Sequence, residues 1–154
     1  MSPLPSPPEL ASRPTAGEAF EPMDLRLPAR SMELQRARKC VATAAADFGF
    51  ERQAAYELVF AVNEAVTNAI KHGSPDEDGT IGLSIDADGD ALICSVQDRG
   101  PFIPPNPAHE PVTAESGRGF AFMSALTDEL ELLAQPAATV VRLRKVRSTL
   151  VSRA

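Results

Sequence analysis

The chain has 154 residues, a formal net charge of −6 from 21 acidic against 15 Lys and Arg side chains, and two cysteines. That length suits one domain able to bury most of its unfolded surface, and the acidic balance argues against a nucleic-acid partner, whose phosphates reward clustered Lys and Arg. No apolar run is long enough to cross a bilayer and the N-terminus lacks a basic-then-apolar leader pattern, so a cytoplasmic protein with no membrane partner is expected.

Residues 1–18 hold five prolines and too few bulky apolar groups for a core of their own, and are read as a disordered tail. The expected domain covers 19–147, and 148–154 form a second tail. Ala19 to Leu27 reads as an edge strand, because Pro22 denies it a central place in a sheet. Ser31 is the expected N-cap of a first helix whose apolar face is Leu34, Ala37, Val41, Ala44 and Phe48, ended by Gly49. Cys40 lies in this helix and Cys94 in a strand pattern, a separation that suits two reduced thiols and no metal or redox motif. The exposed side of the first helix carries Arg36, Arg38 and Lys39, a solvated face that is also a candidate docking surface.

A second helix spans Tyr56 to His72. Leu58, Val62, Ala65 and Ala69 form its apolar stripe, while Glu64, Asn68 and His72 recur four apart as a polar row. Ile81, Leu83 and Ile85 then alternate with polar residues, Asp88-Gly89 favours a two-residue turn, and Leu92, Cys94 and Val96 repeat the alternation. Counting by twos puts Asp98 on the buried face of that second strand. Gly100 to Ser116 is a long proline-rich connection, the form of a lid or binding loop. Ser116-Gly117-Arg118-Gly119 leads into a short helix from Phe120 to Leu126, with Phe122, Met123 and Leu126 as its apolar face. Glu129 to Ala134 and Thr139 to Lys145 read as a closing hairpin around Gln135-Pro136, with Leu130, Leu132, Val141 and Leu143 inward.

A polar helical row, an inward carboxylate at a strand end and glycines at a helix start suit one ligand class, a purine nucleotide with magnesium. Asp98 can accept a hydrogen bond from an exocyclic amine, and a glycine beside it lets a ring approach the backbone. Backbone N–H groups around Gly117 and Gly119 can cradle phosphates, with Arg118 adding charge. The Asn68 amide oxygen can complete a magnesium shell, and Glu64, one turn away, can take a proton from an attacking hydroxyl. Each residue also has a plain structural use: Asn68 can satisfy backbone, Asp98 can cap a turn, and the glycines can permit tight angles. Competing motifs fit less well. Phe122 stands where a dinucleotide fingerprint needs its third glycine, and His72 and His109 lack metal-ligand spacing with the cysteines.

In order, E-A-V-T-N-A-I-K-H, D-R-G-P-F and G-R-G-F-A-F-M resemble the N box and the first and second glycine boxes of the GHKL ATPase superfamily, and more narrowly the small anti-sigma-factor serine/threonine kinases. The resemblance covers roughly Leu27 to Arg144. It implies an α+β two-layer sandwich, with a mixed, mainly antiparallel sheet covered by helices on one face. It implies ATP and magnesium as ligands, Glu64 as general base, Asn68 as magnesium ligand, Asp98 and Gly100 at adenine, and Gly117 and Gly119 at phosphate. Lys71 and His72 match the end of the N box, on the phosphate side. The implied partners are a sigma factor and an anti-sigma-factor antagonist, in a homodimer. Phe102 departs from the pattern by standing where a second glycine is usual. The alternative function is a non-catalytic ATP-binding module that captures a regulator. A third reading, the catalytic module of a sensor histidine kinase, would require a phosphoacceptor histidine in a separate partner.

Overall fold

The computed structural model describes residues 20–73, 79–98, 114–135 and 138–147, with the side chains of 72–73, 114–118 and 135 outside that description. Elements follow in the order β1 (Met23–Pro28), a 3-10 turn (Ser31–Glu33), α1 (Leu34–Phe48), α2 (Arg52–Asn68), a π turn (Ala69–Gly73), β2 (Thr80–Asp88), β3 (Ala91–Asp98), α3 (Ala114–Leu126), β4 (Glu129–Gln135) and β5 (Ala138–Val146). The strands form one sheet in the order β1-β2-β3-β5-β4. All four pairings are antiparallel. This is the expected α+β architecture. The expected tails at 1–18 and 148–154 lie outside the described residues.

Register explains which face is covered. Leu25 sits opposite Leu83, Leu83 opposite Val96, Val96 opposite Val141 and Val141 opposite Leu132. A row of apolar side chains therefore crosses the sheet on one face, joined by a second row through Ile85, Cys94 and Leu143. These rows pack against Ala37, Val41, Ala44 and Phe48 of α1 and Leu58, Val62 and Ala65 of α2, all buried. Alternate residues, among them Arg26, Ser84, Ser95 and Arg142, line the other face, where a polar groove of about 390 Å³ runs past Asp24, Gly82 and Gln97. Burial holds the Cys94 thiol at a pKa of about 12, and burial also raises Cys40, so both are poor nucleophiles near neutral pH.

Several boundaries differ from the pattern reading. Ser31 starts a 3-10 turn instead of capping α1, and no side chain caps the helix that begins at Leu34. The β2–β3 turn is Gly89–Asp90, one residue later than expected, because Asp88 still pairs with Ala91. Gly89 takes φ 63, the positive angle that the first central residue of a two-residue hairpin can require.

The end of α1 is fastened by Arg147. Gly49 ends the helix at φ 99, and the Arg147 guanidinium lies 4.4 Å over the Phe48 ring while donating to the Phe48 carbonyl and, at 3.0 Å, to Asp90 Oδ1. Phe48 also meets Phe20 edge-on at 5.7 Å and Phe50 at 5.9 Å. A cation thus satisfies a carbonyl at a helix C-terminus and covers an aromatic cluster.

Candidate nucleotide-binding site

The N-box row lies on α2, whose apolar stripe Leu58, Val62, Ala65 and Ala69 is buried as its spacing predicts. Inward burial on one side turns Glu64 and Asn68 to the other, where both are partly buried. Thr67 donates its hydroxyl to the Asn63 carbonyl at 2.7 Å, and the Asn63 carboxamide oxygen accepts Arg38 Nη1 of α1 at 3.0 Å. Back-bonding of a threonine to the preceding turn loosens a helix locally. The α-helix ends one residue later, at Asn68, and Ala69–Gly73 continue with the wider π hydrogen-bond pattern, a form often met at functional sites. The row of three residues spaced four apart, expected through His72, therefore stops at Asn68. His72 sits in the π turn with its side chain outside the described residues, and Lys71 is exposed there.

The decisive contact comes from α3. A Cβ on Gly119 would stand 2.9 Å from Glu64 Oε2, 3.5 Å from its carboxyl carbon and 3.5 Å from Asn68 Nδ2. Only a residue without a side chain lets the α3 backbone lie this close to both groups. Glycine inside a helix costs up to about 1 kcal/mol relative to alanine, so its presence here reflects space. Two motifs some fifty residues apart in sequence thus meet at one carboxylate and one carboxamide.

α3 itself begins at Ala114, earlier than its sequence suggests. Gly117, Arg118 and Gly119 consequently lie within its opening turns instead of ahead of them, and the Arg118 side chain is outside the described residues. Phe122, expected to face inward, is exposed, while Met123 takes the core position. Further along, Phe122 meets Phe60 at 5.9 Å, and Lys145 Nζ joins the Leu126 carbonyl at 2.8 Å to Glu57 Oε1 at 3.0 Å. The contacts step forward along α3 from 119 to 126 and backward along α2 from 68 to 57, so the two helices run antiparallel. Glu57 is held below the usual carboxylate range by the Gln53 hydrogen bond and then by Lys145.

Asp98 ends β3 on the helix-covered face and is buried, with Thr139 of β5 directly opposite. Its strand packs against α2 and the π turn. Gly100 and Phe102, with the rest of the proline-rich connection through 113, lie outside the described residues. The carboxylate–glycine contact and the Thr67–Asn63–Arg38 link are the features that sequence spacing misses, since each joins separate turns or helices.

Residues 27–145 match the family described as the histidine kinase-like ATPase domain. The chain belongs to that family. An anti-sigma F factor of Thermoanaerobacter sp. (strain X514) is 31% identical over 131 residues, which span 80% of this chain and 92% of that one. The serine-protein kinase RsbW of Bacillus pumilus (strain SAFR-032) is 28% identical over 137 residues, 80% of this chain and 85% of that one. A crystal structure of the RsbU and RsbW domains of a Mycobacterium tuberculosis protein has a TM-score of 0.62 at 22% identity. It covers 82% of this chain and 32% of the larger one, and demonstrates a shared fold. The histidine kinase-like ATPase domain here is thus similar to proteins named anti-sigma F factor and serine-protein kinase RsbW. Among the described residues, no helix is long and apolar enough to cross a membrane.

Proposed function

We propose that this domain is an ATP- and magnesium-dependent serine/threonine protein kinase that phosphorylates a protein antagonist and sequesters a sigma factor. The observation that carries the reading is the Gly119 backbone against Glu64 and Asn68, supported by relatives named anti-sigma F factor and serine-protein kinase. Asp98 and Gly100 take the adenine, the first by accepting from its exocyclic amine and the second by admitting the ring. Gly117, Arg118 and Gly119 serve the phosphates, with Lys71 and His72 on the same side. Glu64 and Asn68 each carry oxygen of the hard kind that magnesium takes, and Asn68 would hold the ion through its amide oxygen. Magnesium, when bound, neutralises charge on the phosphates. Glu64 accepts the proton of a serine or threonine hydroxyl as its oxygen bonds to the γ-phosphorus, the bond to the bridging oxygen breaks, and ADP leaves.

Calorimetric titration with ATP and magnesium, paired with radiolabel transfer to an antagonist, tests the assignment. Glu64→Gln is expected to lower transfer by roughly 10²-fold or more with ATP affinity retained, and Asp98→Asn to remove ATP binding. Transfer that survives Glu64→Gln would remove the base. Saturable ATP binding without any transfer by the unaltered chain would leave a nucleotide-holding capture module in place of a kinase.

A further inference from the structure

Tyr56, Phe60 and Phe122 form a ridge along the α2–α3 seam, left 58%, 39% and 44% exposed. Tyr56 meets Phe60 edge-on at 5.0 Å and Phe60 meets Phe122 at 5.9 Å, so the three rings make one continuous surface. Core packing does not require it, because Leu58, Val62 and Met123 already fill the inward positions of the same helices. Contiguous exposed aromatics of this kind mark contact surfaces for other proteins. The charged neighbour Glu57 is engaged by Gln53 and Lys145.

We propose that this ridge docks the phosphate-accepting protein, holding a large apolar side chain that lies about two to four residues from the reacting hydroxyl. The proposal rests on the kinase reading and deepens it. Phe60 is one turn from Glu64 on α2, and Phe122 is one turn from Gly119 on α3, which makes the ridge continuous with the candidate site. In-line transfer requires the attacking and leaving oxygens on opposite sides of phosphorus. Asn68 and Lys71, assigned to the nucleotide, follow Glu64 along the chain; Phe60 and Tyr56 precede it. The acceptor therefore enters over the aromatic end of the seam. At 1.5 Å per residue, Phe60 and Tyr56 lie about 6 and 12 Å along the helix from Glu64, a span that an extended segment covers in the stated few residues.

The test uses the full chain, labelled ATP with magnesium, and serine peptides in which one leucine or phenylalanine is moved step by step to either side of the serine. Labelling is expected to rise about tenfold when the apolar residue lies two to four positions away, the effect of burying one such side chain. The double variant Phe60→Ser/Phe122→Ser should lose that preference through a raised KM, with ATP affinity and melting temperature as controls, and Phe60→Leu/Phe122→Leu should restore it. Equal labelling of all peptides, or a preference untouched by the serine variant, overturns the docking role while leaving the kinase reading intact. No transfer to any peptide, with ATP bound, overturns the docking role, and transfer to a protein antagonist then decides the kinase reading separately. Sedimentation of the same variants adds one further outcome: a dimer lost on Phe60→Ser/Phe122→Ser assigns the ridge to a second copy of the chain and overturns the proposal.

Discussion

The end of α1 and the α2–α3 seam are assembled from the same parts, a cluster of aromatic rings, a charged side chain and a glycine, and they use them in opposite ways. At the end of α1 the charge closes the cluster: Arg147 is 12% exposed, covers Phe48 and ties it to Asp90. At the seam the charge on Glu64 lies against bare backbone and the rings stand in water. The glycines differ likewise. Gly49 is required by its backbone angle, φ 99, whereas Gly119 is required by the space its neighbours occupy. A joint that satisfies all its groups holds the fold together, and a joint that leaves them accessible can act on something else.

That contrast is open to substitution. Gly119→Ala should separate activity from stability most sharply. The new methyl displaces the Glu64 carboxylate, and phosphotransfer is expected to fall by about 10²-fold, as small misplacements of a reacting group do. Unfolding free energy should hold or rise by up to about 1 kcal/mol, since alanine is the better helix residue; a large loss of stability measured in urea would mean that the site cannot yield and that the contact is structural. Arg147→Ala should do the reverse, costing about 2 kcal/mol in urea unfolding from its hydrogen bonds and cation–π contact, with ATP affinity unchanged. Gly49→Ala should cost about 1 kcal/mol, because a side chain resists the left-handed region, again without effect on transfer.

The smallest effect concerns the ion pair midway along the seam. Glu57→Gln is expected to cost about 0.5 kcal/mol near pH 7, a modest value for a partly exposed pair. Its sign with pH is fixed by the depressed carboxyl. The contribution is complete above the unfolded carboxylate value near ~4.3, and it is lost as pH falls through the lower folded value. Urea midpoints of wild type and variant should therefore converge in acid; a gap that persists there would assign the effect to packing.

Much of this was legible in the chain because periodicity reports burial. The stripes of α1 and α2 and the alternation from Ile81 to Val96 each place a correct face inward, and Asp98 follows by counting. Local signals failed where a neighbour decided the outcome. α3 starts before its glycines, soon after a proline-rich run and in a stretch whose two glycines hide a helical period, and Phe122 faces out because Met123 takes the core place beside α2. Nothing near Thr67 in sequence announces the π turn that shortens the polar row, although its bond to the Asn63 carbonyl is a physical reason for it. The Arg147 joint, reaching back 99 residues to Phe48, has no local signature at all.

The strand order also sets a timetable. β5 emerges from the ribosome after every other described element, yet it lies between β3 and β4 and puts Thr139 opposite Asp98. Synthesis at about 5–20 residues per second thus leaves β1, β2, β3 and the first two helices waiting for their missing neighbour. A nascent chain that has not released residues 138–146 is expected to bind no ATP, so nucleotide capture would mark completion of the sheet as well as readiness for chemistry.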